Sequence, residues 1–136
     1  MEILVIDGQG GGLGKQIITN IKAKYPSCFI TAVGTNAMAT QAMLKAGADA
    51  SATGENPVVV NARTADVIIG PIGIVIADSL FGEVTPKMAN AVGQSKAKRL
   101  LIPVNLCNNI VIGVPDLSIS VMIDGVIRKL DELTKA

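Results

Sequence analysis

The chain opens on an apolar run that leads into a glycine-rich turn, Ile3-Leu4-Val5-Ile6-Asp7-Gly8-Gln9-Gly10-Gly11-Gly12-Leu13-Gly14-Lys15. Five of the seven residues from Gly8 to Gly14 are glycine, so few side chains would keep an anion away from the backbone. The following residues have helical spacing as far as Lys24, and a helix N-terminus presents free N–H groups. The stretch therefore predicts a strand, a turn of the size of a phosphate group, and a helix.

Composition limits the classes of protein that this chain can belong to. Its 136 residues correspond to one domain, and we expect residues 1–136 to form a single unit. An apolar fraction of 49% exceeds what one small copy buries easily, which favours a homo-oligomer such as a dimer. A net charge of +1 and an aromatic content of 2% argue against nucleic-acid binding. The longest apolar run, 67–77, is too short to cross a bilayer, so we expect no membrane association and a cytoplasmic location.

The chain lacks histidine, and its two cysteines, Cys28 and Cys107, are far apart in sequence. No metal-ligand spacing can be built from them, and we predict no metal cofactor. Cys28 lies in a strand-like stretch and is expected to be a small buried apolar residue. Cys107 follows a predicted strand end, where both an inert and a reactive thiol remain open.

Strand-like and helix-like segments alternate along the chain. This alternation predicts an α/β fold, a Rossmann-like three-layer sandwich with a mostly parallel sheet. The predicted strands are 3–6, 29–33, 48–52, 66–69 and 99–104, with a short edge strand at Val111. The predicted helices are 13–24, 36–45, 87–94 and 118–133. Residues 74–80 stay open between a helical turn and a strand.

Two helical segments carry further expectations. Asn56 as N-cap and Pro57 at the first helical position predict another helix, although the β-branched run 58–60 favours a strand. Met38 and Met43 are expected to fill the core. The last helix carries a wide apolar stripe that would pack on the sheet or form a subunit interface. Its members are Ile119, Met122, Ile123, Val126, Ile127, Leu130 and Leu133.

The spacing Gly8-x-x-x-Gly12-Leu13-Gly14 resembles the turn of short-chain dehydrogenases. That resemblance implies binding of NAD(P) or another adenine nucleotide. Catalysis in those enzymes needs a tyrosine followed four residues later by a lysine, whereas Tyr25 is followed by Phe29 at that distance. The competing pattern is a P-loop, because residues 11–15 resemble the loop of partition-type ATPases. Gln16 stands where a P-loop has a magnesium-binding Ser or Thr, so we favour the Rossmann-like interpretation.

In a Rossmann-like sheet the ligand lies beyond the C-terminal strand ends, where the strand order reverses. Thr35 and Asn36 follow the second strand, where dinucleotide enzymes usually place an acidic residue. They would contact the nucleotide there, or they would cap the next helix, and the sequence supports both roles equally. Glu55 is a candidate base or a solvated turn residue, and no catalytic residue is identified. The predicted cofactor-binding residues are Asp7, Gly8, Gln9, Gly10, Gly11, Gly12, Leu13, Gly14, Thr35, Asn36, Gly70, Pro71, Ile72, Gly73 and Asn105.

The motifs in 7–12, 34–40, 53–56 and 69–73 together resemble a family of small bacterial proteins of unknown function that look like stand-alone Rossmann domains. This resemblance implies the fold without an activity. Three functions therefore remain open: a nucleotide-binding domain, a small enzyme whose site is completed across a dimer, and an oligomeric interaction protein without a ligand. We favour nucleotide binding.

Overall fold

A computed structural model describes residues 1–104, 106 and 108–135 of the chain. Strands and helices alternate through most of these residues. The strands are β1 (Glu2–Asp7), β2 (Phe29–Gly34), β3 (Ala50–Thr53), β4 (Val67–Pro71) and β5 (Lys98–Ile102). The helices are α1 (Gly12–Lys24), α2 (Ala37–Lys45), α3 (Glu55–Ala62), α4 (Pro86–Gln94) and α5 (Ile119–Lys135), and a 3₁₀ turn spans Ile72–Val75.

The five strands form one parallel sheet in the order β3-β2-β1-β4-β5. From β1, the chain first builds outward to β2 and β3, then crosses back to place β4 on the other side of β1. The strand order therefore reverses between β1 and β4, and the C-terminal ends of the strands lie along one edge. This arrangement confirms the predicted α/β, Rossmann-like architecture.

Helices cover both faces of the sheet, and the alternating side chains of β1 show how. Ile3 and Val5 pack into a core with α1, α2 and α5. Leu4 and Ile6 pack into a second core with α3 and α4. A strand covered on both faces needs a continuous apolar sequence, and this explains the run at 3–6. Among the described residues, none of the helices is both long and apolar enough to cross a lipid bilayer.

The apolar stripe of α5 belongs largely to the core. Ile123, Val126 and Leu130 are buried against the sheet, while Ile119 at the start of the helix is 40% exposed. The packing interpretation is therefore the one that the structure supports for the inner part of the stripe. Cys28 is half-buried against the same core, and burial raises the pKa of its thiol. Cys107 lies outside the described residues.

Some local predictions were wrong. The helix α3 does form, but it begins at Glu55 after Gly54, so Asn56 is not its N-cap and Pro57 is its third residue. Gly54 has a φ of 105° and its N–H continues the bonding to β2 through the carbonyl of Gly34, which sets the start of the helix earlier. Proline is accommodated there because the first turn of a helix has no intrahelical N–H bonds to lose.

Val111 does not form an edge strand; the described residues between β5 and α5 are irregular or in turns. Gly113, with a φ of 84°, turns the chain nearby, and Pro115 has no N–H to donate to a neighbouring strand. Of the two alternatives for residues 74–80, the structure shows a helical turn only at the start, where the 3₁₀ turn Ile72–Val75 includes residues 74 and 75. Residues 76–80 form bends and turns, with no strand.

The prediction for Met38 was also wrong, because its side chain is 69% exposed whereas Met43 is fully buried. Five residues at about 100° each place the two side chains on well-separated faces of α2. Only one of those faces meets the core.

Candidate functional site

The glycine turn joins the end of β1 to the start of α1 at the C-terminal edge of the sheet. Gly11 is the N-cap of α1, with a φ of 73°, and its N–H donates to the carbonyl of Gly8 at 2.9 Å. A side chain at Gly11 would also press on α2, because its Cβ would lie 2.8 Å from the Cα of Ala39. Both the backbone conformation and the packing therefore require glycine at this position.

Gly8 and Gly14 are required by packing alone. A Cβ on Gly8 would lie 2.5 Å from Oγ1 of Thr35. A Cβ on Gly14 would lie 2.5 Å from Sδ of Met43 and 3.0 Å from Cβ of Asp7. Gly14 thus lets α1 lie close to β1 and α2, the task that the last glycine performs in dinucleotide-binding turns. The neighbouring Leu13 packs against the core.

Gly10 and Gly12 differ from these three glycines. A Cβ on either would meet no atom of the described residues within 4 Å, and neither has a φ in the left-handed range. Within the part of the chain that the structure describes, the N–H groups of Gly10 and Gly12 have no hydrogen-bond partner. No internal contact therefore requires glycine at these positions, and the backbone lies open to a group from outside the protein.

Asp7 stabilises the turn through two hydrogen bonds to its backbone. Its carboxylate is 6% exposed, and it accepts the N–H of Gly8 on Oδ1 at 2.8 Å and the N–H of Gly14 on Oδ2 at 2.7 Å. Burial raises the pKa of Asp7 above its usual value, although these hydrogen bonds oppose the shift. Both oxygens are directed to the backbone of the turn. This geometry supports a role for Asp7 in stabilising the loop.

A second carboxylate, Glu83, reaches the turn from the loop after β4. Its Oε1 accepts three hydrogen bonds: from the N–H of Gln9 at 3.0 Å, from Oγ1 of Thr35 at 2.6 Å and from Nδ2 of Asn36 at 2.7 Å. Partial burial works to raise the pKa of Glu83, but these hydrogen bonds outweigh it and lower the pKa below the usual value. Glu83 is therefore an ionised group at neutral pH.

Thr35 and Asn36 both donate to Glu83, and Asn36 also caps α2. The Oδ1 of Asn36 accepts the N–H of Ala39 at 2.9 Å, which caps α2. Its Nδ2 donates to the carbonyl of Gln9 at 2.9 Å as well as to Glu83. The structure therefore shows capping for Asn36, while contact of Thr35 and Asn36 with a nucleotide stays a prediction. Glu83 carries no signal in the sequence, because it lies 47 residues after Asn36 and belongs to no local motif.

The loop that carries Glu83 has an unusual backbone. Asp78, Leu80 and Phe81 have φ values of 64°, 54° and 55°, and Gly82 follows with 85°. A left-handed conformation costs a residue other than glycine about 1–2 kcal/mol. Burial of Leu80, whose side chain packs beside Gly8, and the three hydrogen bonds of Glu83 stabilise the loop against this cost.

The predicted residues 70–73 lie at the same edge of the sheet but are mostly enclosed by the protein. β4 runs two residues further than the predicted strand 66–69, so Gly70 and Pro71 belong to it and only Ile72 and Gly73 follow it. Gly70, Pro71 and Gly73 are buried, and Ile72 is half-buried. A Cβ on Gly70 would press on the carbonyl oxygen of Ile6, and one on Gly73 would lie 2.9 Å from Oγ of Ser79. The remaining predicted residue, Asn105, lies outside the described residues.

The other candidate groups do not join the turn. Glu55 accepts a hydrogen bond on Oε2 from Oγ1 of Thr85 at 2.6 Å, which ties the start of α3 to the N-cap of α4. No residue of the turn lines either of two cavities in the described chain. One, of about 460 Å³, lies between α3 and α4, and the other, of about 450 Å³, lies between β5 and α5. Among the described residues, no cluster of three His, Cys, Asp or Glu side chains could hold a metal ion.

Comparison with known families gives a clear match over nearly the whole chain. The model of the family described as Domain of unknown function (DUF3842) matches residues 2–135. The chain belongs to the DUF3842 family. No curated protein matches it. Among solved structures it is similar to a dodecameric FMN-dependent UbiX-like decarboxylase from Escherichia coli O157:H7, with 18% identity and a TM-score of 0.49 over 96% of this chain and 76% of that one.

Proposed function

We propose that this DUF3842 protein binds a nucleotide or dinucleotide, of the NAD(P) type or another adenine nucleotide, through its glycine turn. The open backbone at Gly10 and Gly12 carries the proposal. Three of the five glycines have an internal reason to be glycine, whereas these two have unoccupied space and unpaired N–H groups within the described chain. A phosphate that approaches this backbone closely would supply the missing reason.

The position of the turn supports the same function. It follows the strand at which the strand order reverses, the place where open α/β sheets bind their ligands. It also leads directly into the 13-residue helix α1, whose N-terminus favours negative charge. In this arrangement Asp7, Gly8, Gly11, Leu13 and Gly14 shape the turn.

The remaining predicted residues would surround the nucleotide. Gln9, Thr35 and Asn36 lie on the β2 side of the turn, and residues 70–73 lie on the β4 side. The proposal also includes Asn105, which follows the predicted strand 99–104 in the sequence. Asp7 and Glu83 already accept hydrogen bonds from the protein, which suits a binding or sensing role in the cytoplasm better than proton transfer.

A thermal-shift screen with NAD, NADP and ADP tests the proposal, followed by titration calorimetry with any of the three that stabilises the protein. A ligand at a hundred times its dissociation constant stabilises the folded state by about 2.7 kcal/mol. Gly12→Val should abolish this effect, because the branched side chain would fill the space left for the phosphate.

Gly93→Val provides the matched control for that variant. Gly93 lies on α4, away from the turn, and a Cβ there also meets no atom within 4 Å. This variant should bind like the wild type. Wild-type affinity in a folded Gly12→Val variant, or the absence of stabilisation by all three nucleotides, would refute the proposal.

We also propose that the protein forms a homodimer through the exposed apolar side chains of residues 110–121. Ile110 and Ile112 are 84% and 89% exposed, and Val114, Leu117 and Val121 are each more than 40% exposed. Large apolar side chains that are exposed together on one stretch of chain mark a candidate interaction surface. Val114, Leu117 and Val121 line a cavity beside β5, one of the two edge strands of the sheet, where a second copy would cover them.

A further inference from the structure

The three hydrogen bonds of Glu83 place its carboxylate between the turn after β1 and the end of β2. Gln9 belongs to the turn, while Thr35 and Asn36 directly follow the last residue of β2. In dinucleotide-binding folds the acidic residue at the end of β2 binds the 2′-hydroxyl of the adenosine ribose. The local sequence lacks such a residue here, and the fold supplies one from the loop after β4.

The two oxygens of Glu83 are used unequally. Oε1 accepts all three hydrogen bonds, whereas Oε2 accepts none from the residues that the structure describes. An ionised carboxylate offers about four acceptor positions, and so Oε2 is free to accept hydrogen bonds from a ligand. The side chain is half-buried rather than enclosed, which leaves this oxygen within reach.

We propose that Oε2 of Glu83 accepts a hydrogen bond from the ribose 2′-hydroxyl of the nucleotide, so that the protein selects ligands with this hydroxyl free. The inference rests on the proposed nucleotide binding at the glycine turn. A 2′-deoxyribose has no donor for Oε2. A 2′-phosphate would place negative charge beside the carboxylate, and no described Lys or Arg forms an ion pair with Glu83 that could offset the repulsion.

Titration calorimetry of the wild-type chain with NAD, NADP and NAD lacking the 2′-hydroxyl of its adenosine ribose tests this assignment. Wild-type protein should bind NAD at least about tenfold more tightly than either of the others, the effect of a hydrogen bond to a charged group. Glu83→Gln keeps an oxygen for the three internal donors and removes the charge. It should weaken NAD binding by about tenfold and leave the binding of the deoxy ligand within about twofold.

Glu55→Gln is the matched control, because Glu55 also accepts a threonine hydroxyl and, within the described residues, forms no hydrogen bond with the turn. Its binding should equal that of the wild type, and urea unfolding should show that both variants remain folded. An equal loss for NAD and the deoxy ligand in Glu83→Gln would overturn the proposal, since Glu83 would then act only by holding the turn.

Tighter binding of both ligands by Glu83→Gln would also overturn it, because the carboxylate would then compete with the nucleotide for the turn. If wild-type protein binds NAD and the deoxy ligand with equal affinity, nucleotide binding stands while the role of Glu83 is refuted. If wild-type protein binds none of these ligands and ADP does not stabilise it in the thermal-shift screen, the proposed function itself fails.

Discussion

Gly12 and Gly14 lie two residues apart in the same helical turn, yet alanine should affect them in opposite ways. A Cβ on Gly14 would lie 2.5 Å from Sδ of Met43, 2.9 Å from its Cγ and 3.0 Å from Cβ of Asp7. A Cβ on Gly12 would meet nothing within 4 Å. We therefore expect Gly14→Ala to destabilise the fold and Gly12→Ala to leave it intact.

The magnitude follows from what has to move. The Met43 side chain is fully buried, so it has little space into which it can rotate. Moving α1 away instead would lengthen the 2.7 Å hydrogen bond between Gly14 and Asp7. Overpacking of this kind costs about 1–3 kcal/mol, and the better helix propensity of alanine offsets about 0.5–1 kcal/mol. We expect a net loss of about 1–2 kcal/mol for Gly14→Ala, and between no change and a gain of about 0.5 kcal/mol for Gly12→Ala.

Urea unfolding followed by far-UV circular dichroism measures both free energies of unfolding. The double variant Gly14→Ala/Met43→Ala is the control for the cause, because removal of the methionine side chain should recover part of the loss. Equal unfolding midpoints for Gly14→Ala and wild type would show that α1 does not pack as closely as described. A loss of more than about 1 kcal/mol in Gly12→Ala would show that Gly12 has a structural role, which would weaken the argument for nucleotide binding.

Three further predictions concern other parts of the chain. Lys15→Ala should weaken nucleotide binding by less than about tenfold in titration calorimetry, with no magnesium requirement. The reason is that the Lys15 side chain is exposed and the turn amides do most of the binding. A loss of a hundredfold or more would favour the P-loop. Phe81→Asn should stabilise the protein by about 0.5–1 kcal/mol in urea unfolding, because asparagine tolerates the φ of 55° at this position better than phenylalanine. The Phe81 side chain is 97% exposed, so its removal costs little packing. An unchanged unfolding midpoint would indicate an unstrained loop. In light scattering, the mass of the wild type should exceed the 14.0 kDa of a monomer, and a folded Ile112→Asp variant should have the monomer mass. Ile123→Glu should unfold the chain, because Ile123 is buried. A folded, monomeric Ile123→Glu variant would show instead that α5 forms the interface.

Much of the fold could be predicted from local sequence because each strand and helix of this chain has its own periodic signal. The continuous apolar run at 3–6 marks a strand buried on both faces, and the helical spacing after Gly12 marks α1. The turn between them also has a local signature, since clustered glycines are readable without knowing their neighbours. The element types and the parallel architecture follow from such signals.

The sequence was less informative wherever a position depends on its packing partners. Met38 and Met43 look alike in sequence, and only the orientation of α2 against the sheet separates the exposed residue from the buried one. The start of α3 depends on a hydrogen bond from Gly54 to β2, and the absence of a strand at Val111 depends on how the chain leaves β5. Such contacts connect segments that are distant in sequence, so no local pattern encodes them.

The candidate site shows the same division. The sequence by itself determined that five glycines follow β1 and that the end of β2 has no acidic residue. Only the tertiary structure decided that Gly8, Gly11 and Gly14 serve internal packing while Gly10 and Gly12 stay open. It also brought Glu83 to Thr35 and Asn36, because the crossover to β4 places a loop from the second half of the chain beside the first turn. A glycine's role depends on which atoms approach it, and a carboxylate's role on which donors it meets. Both are properties of the folded chain.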